Sequence, residues 1–135
     1  MLAFFYRCFY ISSIDEMKGA AVREFAKPFK ALSDPNRIRI LKMLESRPLC
    51  VCEIQAVLNL AASTVSKHLA ILRDAGFIYD EKEQKWVNYH LNPTSSNEIV
   101  NELLHLIRHW NSNDPLVIQD REQVKSVDRN VLCKI

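Results

Sequence analysis

The stretch from Leu49 to Phe77, LCVCEIQAVLNLAASTVSKHLAILRDAGF, limits what this chain can fold into more than any other part of it. It reads as two short helices joined by a tight turn. The first begins near Cys50–Cys52 and ends near Leu58, and Asn59 is expected to reverse the chain in the left-handed region. The second covers about Ala62 to Ala75, and Gly76 stops it. On that second helix Val65, Leu69 and Leu72 make an apolar stripe, while Ser63, Thr64, Ser66, Lys67 and His68 lie on the other side. A polar, partly basic helix backed by an apolar stripe has the form of a major-groove reader. A thiol pair opening the preceding helix has the chemistry of a soft-metal sensor.

The flanking segments extend this pair into a domain. Ala20, Ala21, Phe25, Phe29 and Leu32 predict a helix over about Ile14 to Leu32, with Met17 and Val22 widening the stripe. Pro28 is expected to kink or break it. Ser33-Asp34-Pro35 is a helix start, with Asp34 capping and Pro35 in the first turn. The helix it opens runs to about Glu45, with Ile38, Ile40, Leu41 and Leu44 inward and Arg37, Arg39 and Lys42 in water. Glu53 is acidic in the first turn of the Cys50 helix, where the dipole favours it. From Phe77 the period changes to two: Phe77, Tyr79, Trp86, Tyr89 and Leu91 predict a β-hairpin with Lys82 and Lys85 near its tip. The tip lacks glycine, so a longer loop is expected. Ser96 or Asn97 caps a last helix to about Trp110. That helix is apolar nearly all round and must be buried twice, most cheaply against a second copy of itself. Beyond Asn111 the chain is polar, broken by Leu116–Ile118 and Val131–Cys133, and no element is assigned there.

With 135 residues, 48% of them hydrophobic and 25% charged, one domain with a real core is expected. Two glycines in the chain argue against phosphate-cradling loops and turn-dense β folds. A net charge of +2 does not announce nucleic acid, so that reading rests on where the basic residues sit. No signal peptide is evident, and the four cysteines, Cys8, Cys50, Cys52 and Cys133, are expected as free thiols in a reducing, cytoplasmic compartment. The apolar opening MLAFFYRCFYISSI is too short to span a membrane. The expected division is an arm or extension over 1–16, the main domain over 17–111 and a tail over 112–135.

The order helix, helix, helix-turn-helix, hairpin, helix is that of a winged helix, mostly α with a small β-hairpin. ALSDPNRIRILKMLE, LCVCEI, STVSKHLAILRDAGFI and KWVNYHL resemble, in the right order, the second helix, metal box, recognition helix and returning wing strand of the ArsR/SmtB family. The resemblance covers roughly Phe25 to Trp110. It implies N- and C-terminal dimerisation helices and a homodimer that binds operator double-stranded DNA when metal-free. It implies release of that DNA on binding thiophilic ions, As(III) and Sb(III) or Cd(II) and Pb(II), as inducers; no permanent cofactor is expected.

Physical chemistry constrains the site within that resemblance. Residues two apart on a regular helix point nearly opposite ways, so Cys50 and Cys52 can share an ion only at the first turn, with Cys50 still outside the helix. The helix N-terminus is expected to lower the thiol pKa. Where the arsenic-type pattern has a third cysteine, this chain has Gln55. The third thiolate must come from Cys133, which is preferred, from Cys8, or from outside. His105 and His109 lie one turn apart but lack the partners of a zinc site. On the DNA side, Ser63, Thr64, Ser66, Lys67 and His68 are the expected reading positions, with Lys82, Lys85 and Arg73 reaching backbone. Two alternatives stand beside the metalloid-responsive repressor: a repressor switched by thiol oxidation, and a C-x-C redox enzyme, for which no thioredoxin-like pattern is present.

Overall fold

The computed structural model describes residues 21–110 and 112–133. Its helices are α1 (residues 21–31), α2 (Pro35–Leu44), α3 (Val51–Leu58), α4 (Ala62–Asp74), α5 (Glu98–His109), α6 (Pro115–Ser126) and α7 (Arg129–Leu132). Between α4 and α5 lies an antiparallel hairpin of β1 (Ile78–Glu83) and β2 (Trp86–Leu91). The fold is a winged helix-turn-helix, with α3 and α4 as the helix pair and the hairpin as the wing.

Local sequence explains most boundaries. The Asp34 carboxylate accepts from the N–H groups of Asn36 and Arg37, and Pro35 fills the first helical position. Asn59 reverses the chain at φ 55° after α3, and Gly76 does so at φ +93° after α4. The Asn97 side chain caps α5 by accepting from Ile99 N–H. The α4 N-cap is Ala61, which supplies no capping side chain.

The apolar stripes of α2, α3 and α4 meet in one core around Ile40, Leu41, Ile54, Val65, Leu69, Leu72 and Phe77. Val100 and Ile107 dock α5 on that core, while Leu106 and Trp110 stay 61% and 49% exposed. On α1, Val22, Phe25 and Phe29 are exposed as well, with the two phenyl rings 5.3 Å apart. One face of each flanking helix is therefore left apolar and open, as expected for a surface that a second copy covers. None of the described helices is long and apolar enough to cross a membrane.

Several expectations need correction. The helix continues unbroken through Pro28, whose ring is fully buried and whose carbonyl accepts from Leu32 N–H at 3.2 Å; packing outweighs the missing donor. Arg39 and Lys42 are not free in water. Arg39 forks onto Asp120, and Lys42, 4% exposed, reaches the Ile107 and Arg108 carbonyls that end α5 at 3.0 and 3.5 Å. The wing turns without the longer loop expected from its lack of glycine: Glu83 pairs with Trp86, and Gln84 itself takes a positive φ of 58°. Tyr79 does not face the core; it is exposed and stacks on His90.

The polar segment after residue 111 forms α6 and α7, which fold back on α2 and α3. Asp114 caps α6 and Pro115 occupies its first turn, while Asp128 caps α7. The Asp-Pro start is the same signal that opens α2, so it was available in the sequence. What hid α6 is its weak stripe: Val117 and Val124 are its buried apolar residues, and its third buried residue is the charged Asp120.

Candidate thiol centre and nucleic-acid interface

The thiol centre is built at the N-terminus of α3. Just before it, Leu49 and Tyr89 exchange backbone hydrogen bonds of 3.2 and 2.8 Å, which stitches this end of the helix to the wing strand β2. Cys50 is the N-cap, extended at φ −92° and ψ 169°, so its side chain leaves the backbone in a direction that a helical residue would not allow. The Glu53 carboxylate accepts from the Cys50 N–H at 3.1 Å, and the Cys50 sulfur faces the Glu53 N–H in a reciprocal capping box. Glu53 is 3% exposed and is balanced by Arg47 at 2.8 Å.

Cys133, immediately after α7, arrives at this turn from the far end of the sequence. Its Cα lies 6.0 Å from that of Cys52, 81 residues earlier, and the two sulfurs are joined in a disulfide, so these two are not the free thiols expected. Cys50 is the free cysteine among the described residues, and it is buried with Trp86 and Cys133, with Cys52 packed against them. The structure thus brings Cys50, Cys52 and Cys133 into one cluster. Cys8 lies outside the described residues. In the bonded form two of the three sulfurs are joined to each other, and no group of three His, Cys, Asp or Glu among the described residues could hold a metal ion. Reduced, the cluster offers three thiols, a donor set that suits soft ions.

The expected lowering of the thiol pKa is overturned for Cys50. Burial, the largest influence, pushes its pKa up, and the Glu53 carboxylate pushes the same way. The Glu53 and Cys52 N–H groups at the helix start pull it down without prevailing.

The tail is held by charged side chains. Arg39 donates to both Asp120 carboxylate oxygens at 2.8 and 2.9 Å, and Asp120 is 3% exposed. Hydrogen bonding to that carboxylate raises the Arg39 pKa. Arg47 donates to the Val124 and Val127 carbonyls at 3.0 and 3.1 Å. Arg129 donates to Asn88 Oδ1 at 2.7 Å and stands 5.1 Å from the Trp86 ring centre. Sequence reasoning missed these residues because each contact joins positions 41 or more apart.

On the other side of the helix pair, Ser63, Thr64, Ser66 and Lys67 are exposed on the first two turns of α4. With no capping side chain at Ala61, the start of α4 offers unsatisfied N–H groups to an anion. His68 differs from its neighbours: it is half-buried, with Nδ1 3.3 Å from Arg37 Nη1. Arg37 is anchored in turn on the Ala31 carbonyl at 2.6 Å. Lys82 and Lys85 are exposed on the wing, and Lys85 Nζ lies 5.0 Å from the Trp86 ring centre. Arg73 pairs with Asp80 at 3.5 Å. His105 and His109 face each other edge to face at 4.6 Å on the exposed side of α5.

Comparison with known proteins agrees with this architecture. Residues 34–80 match the family described as bacterial regulatory protein, arsR family; α5 to α7 and Cys133 lie beyond that match. The chain is 42% identical over 66 residues to an arsenical resistance operon repressor of Escherichia coli K12, covering 48% of this chain and 56% of that one. It is 36% identical over 92 residues to the arsenical resistance operon repressor of Bacillus subtilis 168, covering 67% and 88%. The match therefore spans little more than half of the first relative's length and most of the second's. A homodimeric winged helix-turn-helix DNA-binding domain from Mycobacterium bovis superposes with a TM-score of 0.57 at 25% identity, covering 67% of this chain and 81% of that one. The extent of the Bacillus match, together with the fold, shows that this chain belongs to the arsR family of winged-helix DNA-binding transcriptional regulators.

Proposed function

We propose that this protein is a cytoplasmic, homodimeric repressor that releases its operator when As(III) or Sb(III) binds the reduced thiolates of Cys50, Cys52 and Cys133. The observation that carries the reading is the arrival of Cys133 at the first turn of α3, which makes good the cysteine missing at Gln55. The ion supplies one bonding centre for three sulfurs. The protein's part is to hold Cys50 extended at the N-cap, to bring Cys133 over it through α6 and α7, and to keep the cluster dry under Trp86. Because α3 supports α4, a pull on its first turn shifts Ser63, Thr64, Ser66 and Lys67 relative to the groove they read. Lys82 and Lys85 are proposed to contact phosphate from the wing.

The test is titration of the reduced protein with arsenite, followed by ultraviolet sulfur–arsenic absorption and by operator affinity. Cys50→Ser and Cys52→Ser are expected to bind operator normally and to lose induction, and Cys133→Ser to weaken arsenite binding. Release of operator by either of the first two variants at wild-type arsenite concentrations would refute the site. Cadmium and lead are the next ions to titrate.

The contact of Cys52 with Cys133 favours a second reading, a repressor switched by oxidation of these two thiols. A response to peroxide without one to arsenite would select it.

A further inference from the structure

We infer that Arg129 is the positioning residue that carries the bonding state of Cys133 into the wing. It stands on the short helix α7, four residues before Cys133, and the Cys133 N–H donates to its carbonyl at 2.9 Å. Its guanidinium reaches β2 twice, donating to Asn88 Oδ1 at 2.7 Å and lying 5.1 Å from the Trp86 ring centre. Asn88 is itself buried and donates to Glu83 Oε2 at 2.9 Å, at the last residue before the wing turn. Trp86, on the other side of that turn, carries Lys85 against its ring at 5.0 Å. A line of contacts therefore runs from Cys133 through Arg129, Asn88 and Trp86 to the tip of the wing.

These contacts form in the state in which Cys133 is joined to Cys52. That bond, or an ion bridging the same sulfurs, pins α7 and with it Arg129. Arg129 then holds Glu83 through Asn88 and braces the Trp86 ring on which Lys85 rests, so the wing tip is fixed with its lysine over the ring instead of toward a phosphate. With Cys133 unbonded, α7 loses its covalent tie to α3 and is held by side-chain contacts alone, so the wing gains freedom to follow the DNA backbone. The bridging-ion version rests on the proposed metalloid site; the version in which the sulfurs join directly does not.

The experiment keeps the two apart by using direct sulfur–sulfur joining as the probe. Diamide oxidises the two thiols to the disulfide, and its azo nitrogens take up the two protons and two electrons released. Operator affinity is measured for reduced and diamide-treated wild type and Arg129→Gln, with mass spectrometry to verify the Cys52–Cys133 link in each. Wild type is expected to lose affinity roughly tenfold on joining, within the usual range of coupling between sites. Arg129→Gln is expected to form the same link and to lose less than about twofold, with a reduced-state affinity near that of wild type. In a Trp110→Phe background, Trp86 emission should shift on joining in the wild-type arm and much less in the Arg129→Gln arm. Equal losses in the two proteins, or no loss in wild type, overturn the inference. So does an equal weakening of both states of the variant, which would make Arg129 a plain DNA contact. An arsenite arm run in parallel reports on the metalloid reading: coupling by diamide without any arsenite signal would sink that reading and leave the Arg129 relay standing.

Discussion

Asp120→Ala removes one half of the fork that fastens α6 to α2. The two N–H···O⁻ bonds, at 2.8 and 2.9 Å, have the length of strong charge-assisted pairs. Such bonds contribute about 1.5–3 kcal/mol each, and stranding one partner of a buried pair costs about 3–5 kcal/mol in all. Arg39 is 20% exposed at its side chain and recovers part of its hydration when the partner is gone, which brings the cost below that fully buried range. The expected loss is about 2–3 kcal/mol, or a fall of roughly 6–12 °C in Tm for a domain of this size. If α6 detaches while the core stays folded, the loss appears instead as faster amide exchange in α6 and easier proteolysis after residue 111. Thermal melts and hydrogen exchange on the reduced protein separate the two. Detachment also frees Cys133, so arsenite affinity is expected to drop along with it. A variant with unchanged melting, unchanged exchange in α6 and unchanged arsenite affinity would show that this pair does not fasten the tail.

Two further expectations follow from the two faces of the helix pair. Lys67→Ala is expected to weaken operator binding across all sequences and to lower its salt dependence by roughly one counterion, with arsenite binding unchanged; loss of arsenite binding in that variant would mean the two faces were misassigned. Cys50 has a folded-state pKa raised by burial, so it favours the folded state while it remains neutral. That contribution is complete below the ordinary thiol pKa and is lost as pH rises through the higher folded value. Urea melts of reduced protein should therefore weaken more steeply above about pH 9 in wild type than in Cys50→Ser, and parallel profiles would contradict the burial of the thiol.

What could be read from the sequence was whatever repeats at short range. The stripes of α2, α3 and α4 follow helical spacing, and Asp34-Pro35, Asn59 and Gly76 punctuate them locally, so these elements were legible. The buried charges were not. The local partners of Lys42 and Glu53, Glu45 and the Cys50 N–H, are those of ordinary surface residues; what buries Arg39, Lys42 and Glu53 is Asp120, the end of α5 and Arg47. The tail was missed for a related reason: it docks through polar groups, and hydrophobic periodicity does not register them. At the thiol centre, the placement of Cys50 outside the helix and Cys52 in its first turn could be argued from spacing, but the joining of Cys52 to Cys133 could not. The sign of the Cys50 pKa could not, because it depends on Trp86 and Cys133 closing over a turn that looks exposed in one dimension.

The buried Lys42 has a consequence for the length of DNA that can be read. By holding the last carbonyls of α5, it fixes the phase of the helix that carries Leu106 and Trp110 against the helix that backs α4. In a dimer closed through those apolar faces, the gap between the two recognition helices is then set by α2 and α5 and not by loops. Lys42 thus acts as the zero mark of a ruler. An operator would have to carry its half-sites about one helical turn, some 10 base pairs, apart, and a site with a few pairs inserted at its centre would engage only one half of the dimer at a time.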